Sequence, residues 1–154
     1  MRNWKALLLN LLLPLGVGGL AALFTRGAME QYGSLNQPPL SPPGWVFPVV
    51  WTALYLLMGL AAYLVWQTGS AARGGAFFLY GVQLALNFGW TLLFFCAQNY
   101  LFALVWLFLL WVAVLCTLTR FFQLRPAAGW LLLPYLLWVT FAGYLNAGVW
   151  LLNP

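Results

Sequence analysis

Residues 101–119 read LFALVWLFLLWVAVLCTLT, nineteen positions without a charged side chain, a glycine or a proline. At 1.5 Å of rise per residue such a run crosses most of a hydrocarbon layer about 30 Å thick. Four more apolar runs of that kind occupy residues 6–25, 45–66, 76–97 and 130–152, so five spans consume nearly the whole chain. With their flanking turns the helices are expected at about 4–25, 43–67, 75–97, 99–121 and 127–152. A single all-α integral membrane domain follows, a bundle of five transmembrane helices. No run alternates as a barrel strand does, and backbone in lipid must satisfy its own hydrogen bonds, so a helical bundle is strongly preferred to a barrel.

Composition agrees with that reading. Of 154 residues, 65% are hydrophobic and 19% aromatic, with six basic side chains, one acidic side chain and no histidine. A soluble fold would have almost nothing polar to put on its surface. The first run follows Arg2 and Lys5 as a signal peptide would, but it is longer than the usual apolar region and no polar cleavage region follows. It is read as the first helix. Arg2, Lys5, Arg73, Arg120 and Arg125 flank alternate ends of the spans, and only Arg26, near Glu30, falls on the other side. The net charge of +5 therefore reads as topology and not as a nucleic-acid patch, with the N-terminus on the cytoplasmic face. Cys96 and Cys116 read as two buried thiols acting as small hydrophobes.

The missing residue types exclude much chemistry. Without an intramembrane acid, histidine or lysine there is no proton relay, no Schiff base and no general base for a nucleophile. No metal site is expected, since the usual ligands are absent. Any chemistry has to come from aromatic side chains or from a bound ligand.

Tryptophan is the informative residue. Trp4, Trp45, Trp66, Trp130 and Trp150 sit near helix ends, where indoles prefer the headgroup level. Trp51, Trp90, Trp106, Trp111 and Trp138 lie deeper, and an indole N–H in hydrocarbon needs a partner or a pocket. In the third run Gln83, Asn87, Trp90 and Phe94 share one helical face, while Gly81, Ala85 and Gly89 form a small-residue stripe on the opposite one. That stripe suits close helix contact, within the bundle or between subunits. The fifth run aligns Trp138, Ala142, Asn146 and Val149, and the second aligns Trp51, Tyr55 and Met58. Three faces that each set an aromatic beside an amide or a small residue predict a cavity. Pro14, Pro48 and Pro134 interrupt helices and predict bends.

Three segments, PPGWVFPVVWTALYLLMG from Pro42, QLALNFGWTLLFF from Gln83 and PYLLWVTFAGYLNAGVWLLN from Pro134, resemble the translocator protein family, also called tryptophan-rich sensory proteins, TspO/MBR, or peripheral-type benzodiazepine receptors. The resemblance implies a receptor or sensor in a membrane, here that of a bacterial cell envelope. Such a protein binds porphyrins, protoporphyrin IX among them, and hydrophobic drug-like ligands inside the bundle. It needs no cofactor, contacts lipid, and forms a homodimer for which Gly81, Ala85 and Gly89 are the candidate interface. Carried onto this chain, the ligand-binding positions are Tyr32, Pro42, Pro43, Trp51, Asn87, Trp90, Trp138, Ala142 and Asn146. Passive transport of porphyrin or sterol is one alternative implied. Another is light- and oxygen-dependent porphyrin degradation, for which Trp51 and Trp138 are the catalytic candidates.

Two positions depart from the family pattern: Gln31 and Leu40 stand where tryptophan is common. The C-terminal stretch also lacks the tyrosine and following basic residue of the sterol-associated motif, so strong cholesterol binding is not expected. Residues 26–42, with Pro38-Pro39 and then Pro42-Pro43, are expected to form a preshaped lid over the pocket. Ser41 is expected to cap the second long helix, with Pro42 in its first turn.

Overall fold

The computed structural model describes residues 3–154; the Arg2 position lies outside them. Asn3 opens α1 (Trp4–Phe24) by accepting the Ala6 amide on Oδ1 at 3.2 Å, which satisfies one orphan donor of the first turn. Four further helices of spanning length follow: α3 (Val46–Gln67), α4 (Arg73–Thr91), α5 (Tyr100–Leu124) and α6 (Pro126–Leu152). Asn99 caps α5 as Asn3 caps α1, accepting the Phe102 amide at 3.1 Å. Pro126 occupies the first turn of α6, where its missing N–H costs nothing. Among the described residues there are helices and no strands.

The protein is thus the expected five-span membrane bundle, with two additions. A seven-residue helix, α2 (Ala28–Ser34), forms inside the segment expected to be loop, entered through Gly27 at φ +78°. The C-terminal end of α4 widens into a π-turn over Leu92–Cys96, closed by the Ala97 amide on Leu92 O at 2.9 Å. Pro48 falls in the first turn of α3 and so interrupts nothing, whereas Pro14 and Pro134 do lie inside α1 and α6.

In cross-section the long helices run α1, α3, α6, α5, α4, with α5 against α6 the most extensive contact and the α1–α4 seam the thinnest. Small residues set the close approaches. A Cβ on Gly59 would lie 2.7 Å from Asn10 O and 2.8 Å from Leu11 Cα, so α1 and α3 meet backbone to backbone there. A Cβ on Gly129 would lie 2.5 Å from Phe122 Cβ, which is how α5 and α6 turn back on each other across Arg125.

The bundle is solid at one end and hollow at the other. Met58, Ala61, Ala62 and Val65 of α3 are fully buried against Val114, Phe121, Ala128 and Leu132. Lys5, Arg73, Arg120 and Arg125 belong to that solid end, since they flank the start of α1, the start of α4 and the α5–α6 turn. The hollow end carries α2, Arg26 and the proline segment.

Both cysteines are exposed on the bundle's surface and not buried in it. The reason is general to membrane bundles: the lipid-facing side is as apolar as the core, so an apolar neighbourhood in sequence does not separate the two. Trp4, Trp45 and Trp130 are more than 60% exposed, as residues at the headgroup level should be.

Replacing Gly59 by valine should push α1 off α3 at a cost of about 1–3 kcal/mol, read as a lower unfolding temperature in detergent. Gly16→Ala should cause no loss, because nothing lies within 4 Å of that Cβ position.

Candidate functional site

A cavity of about 510 Å³ occupies the hollow end. Its walls come from the second half of α1, the first half of α3, the end of α4 with its π-turn, and α6, and α2 covers part of it through Met29 and Tyr32. The lining is dominated by Trp51, Trp90, Trp138, Tyr55, Phe94 and Phe95. Trp51 is the hub: its ring stacks on Tyr55 at 5.7 Å, lies 6.3 Å from Trp90 and meets Trp138 at 6.5 Å with the planes at 89°. Offset and edge-to-face contacts of this kind favour a fixed arrangement of rings. The consecutive residues Phe94 and Phe95, both in the π-turn, line the cavity.

Beneath the cavity lies a directed chain of side-chain hydrogen bonds. Tyr55 Oη donates to Asn87 Oδ1 at 3.3 Å, and Asn87 Nδ2 donates to Tyr135 Oη at 2.8 Å. Tyr135 Oη donates to Gln83 Oε1 at 2.6 Å, and Gln83 Nε2 ends 4.0 Å from Met58 Sδ. Each member is buried, and a linked chain of donors is stronger than separate pairs in a low-dielectric interior. A second tie crosses at the cavity wall, where Trp90 Nε1 donates to Asn146 Oδ1 at 3.1 Å and Asn146 Nδ2 donates to Tyr100 O at 2.8 Å.

Six of the nine ligand-binding positions expected from the sequence line the cavity: Tyr32, Trp51, Trp90, Trp138, Ala142 and Asn146. Asn87 does not; both ends of its amide are used in the floor below. Pro42 and Pro43 are also away from the cavity. The proline segment is fastened instead to the end of α6. Pro38 is buried against Gly148, where a Cβ would lie 2.4 Å from the proline ring. Tyr144 Oη donates to Pro39 O at 2.6 Å, and Asn153 exchanges bonds with Asn36 in both directions, at 3.1 and 2.8 Å. Ser41 caps no helix; its hydroxyl donates to Pro38 O at 2.7 Å, and α3 begins five residues later with no side-chain cap. The covering element is α2, not the prolines.

The small-residue stripe of α4 divides between two surroundings. A Cβ on Gly89 would lie 2.7 Å from the Trp106 ring, so this glycine serves a contact inside the bundle, while Gly81 and Ala85 face outward. Trp106 Nε1 donates to Leu86 O at 2.7 Å and Trp111 Nε1 to Thr140 Oγ1 at 2.9 Å, so these deep indoles find polar neighbours. Trp138 Nε1 is buried without a partner. The sequence reading missed Arg26 and the α1 wall of Gly18, Gly19, Ala21 and Ala22. A helix apolar all round gives no sign of which face a cavity will use.

The family model for the TspO/MBR family matches residues 10–151. The chain belongs to that family. It is 40% identical over 153 residues to a tryptophan-rich protein TspO of Chlorobaculum tepidum, covering 97% of this chain and 95% of that one. It is 40% identical over 143 residues to the translocator protein of Bos taurus, covering 90% and 85%. The protein CrtK of Rhodobacter capsulatus is 40% identical over 141 residues, covering 89% and 86%. The two departures from the family's tryptophan pattern fall outside the cavity. Gln31 accepts a hydrogen bond from Gln98 at 2.8 Å, and Leu40 sits 84% exposed with φ +69°.

Tyr135→Phe should leave Gln83 Oε1 and Asn87 Nδ2 without their partner, at about 1–3 kcal/mol. For a chain of this size that lowers the unfolding temperature by roughly 2–10 °C. Tyr80→Phe removes a buried hydroxyl that has no partner and should leave the temperature unchanged or raise it.

Proposed function

We propose that the protein is a membrane receptor or sensor that holds a porphyrin, or another large planar hydrophobic molecule, in the cavity among α1, α3, α4 and α6. One observation carries this reading: three indoles, Trp51, Trp90 and Trp138, share an apolar cavity of about 510 Å³ with no acid or histidine among its lining residues. Such a space suits recognition by shape and stacking, with a few polar groups fixing orientation. Tyr32 and Trp138, both lining residues, each keep a buried polar atom without a partner; a polar edge on the occupant would supply one. The names of the relatives, translocator and tryptophan-rich sensory protein, agree with a ligand-responsive role in a membrane.

The same proposal places the solid, basic end of the bundle in the cytoplasm by the positive-inside rule, with the cavity toward the far side of a bacterial envelope membrane. It assigns the outward-facing Gly81 and Ala85 to contact with a second copy, leaving Gly89 to the bundle.

A second reading, light- and oxygen-dependent oxidation of the bound porphyrin, draws on the perpendicular Trp51–Trp138 pair at 6.5 Å. Illumination under oxygen should then yield a new bilin-like absorbance with the protein and not with porphyrin in detergent alone.

The receptor reading is tested by titrating protoporphyrin IX while following tryptophan quenching. Trp51→Phe with Trp138→Phe should weaken binding at least tenfold; unchanged affinity would move the ligand out of this cavity.

A further inference from the structure

Arg26 is the one charged side chain among the described residues lining the cavity. It stands at the cavity's α2 end, between the last turn of α1 and the left-handed Gly27 that starts α2. The chain's single carboxylate, Glu30, lies four residues further on and does not line the cavity. Most hydroxyl donors in the walls are already committed; among the neutral donors of the lining, the Tyr32 hydroxyl and the Trp138 N–H remain without a partner. Thr25, Thr52 and Thr91 donate to Ala21 O, Pro48 O and Asn87 O of their own helices, and Tyr55 donates to Asn87. Asn146 is tied on both its oxygen and its nitrogen. An anionic group entering this end of the cavity therefore meets one full positive charge and no negative one.

We propose that Arg26 receives a carboxylate at the edge of the ligand, so that the cavity selects amphipathic aromatic carboxylic acids over neutral molecules of the same shape. This rests on the porphyrin reading above and narrows it. The rings fill the indole-lined interior, and the acid group stays at the rim, where the guanidinium can give it paired N–H donors. A carboxylate buried without such a partner would be strongly disfavoured in the apolar interior, so the charge also fixes which edge of the ligand enters last. Because Arg26 is exposed, the contribution is modest and screened by salt.

The test compares protoporphyrin IX with its dimethyl ester, by tryptophan quenching, in vesicles of phosphatidylcholine alone so that no anionic headgroup competes. The free acid should bind about two- to fivefold more tightly than the ester at low salt, and raising the salt should narrow the gap. Arg26→Gln should abolish the preference by weakening the acid more than the ester, and Arg26→Lys should retain part of it. Equal binding of acid and ester by the unaltered protein, or a preference that survives Arg26→Gln, overturns the assignment while leaving the cavity reading intact. Failure of both compounds to bind overturns the porphyrin reading and this assignment together. In a parallel arm, adding phosphatidylglycerol to the vesicles should leave the acid preference in place. Its loss there would make lipid headgroups the anion that Arg26 takes, against the proposal.

Discussion

The hydrogen bond from Tyr135 Oη to Gln83 Oε1, 2.6 Å long, joins α6 to α4 at the level where the bundle changes from solid to hollow. The side chains at that level are buried, so their polar groups need partners within the protein. Tyr55, Asn87, Tyr135 and Gln83 manage this as one directed chain ending at Met58. The chain links α3, α4 and α6 without a carboxylate, a histidine or a lysine. It forms a floor that keeps the aromatic cavity from collapsing into the packed half, and Tyr55 places one face of that floor in the cavity itself.

Above the floor the bundle relies on rings and small residues in complementary roles. Trp51 touches Tyr55, Trp90, Tyr135 and Trp138, so moving one indole disturbs the whole lining. The glycines work at the perimeter. Gly18 leaves room for the Tyr55 ring and Gly89 for the Trp106 ring, and each lets an aromatic side chain of one helix reach the backbone of the next. Close packing of this kind is how helices associate in lipid, where burying apolar surface gives no net drive.

Much of this was legible in the sequence because the bilayer restricts the choices so severely. Span number and position followed from run length alone. The grouping of Gln83, Asn87, Trp90 and Phe94 on one face followed from helical periodicity, and the structure does turn that face inward. What escaped were features that periodicity does not encode. The π-turn at Leu92–Cys96 has the same composition as an α-helical turn. The helix α2 is too short to show a pattern. Pro42 and Pro43 were expected at the cavity only from the family resemblance, yet the segment is held outward by Pro38 against Gly148 and by Tyr144 on Pro39 O. Arg26 passed for a topology marker, since flanking charge is read by side of the membrane and not by depth.

The fastening of the proline segment to α6 has a consequence for how its motion can be observed. Four of the six positions from Pro38 to Pro43 are prolines and carry no amide hydrogen. Of the other two, the Ser41 amide is bonded to Pro38 O at 3.3 Å, and just before the segment the Asn36 amide is bonded to Asn153 Oδ1 at 3.1 Å. Hydrogen exchange is therefore nearly blind to this strap. Asn36 reports its release from α6, Ser41 reports the loosening of its own turn, and a shift of the strap that preserves both bonds leaves no trace in exchange at all.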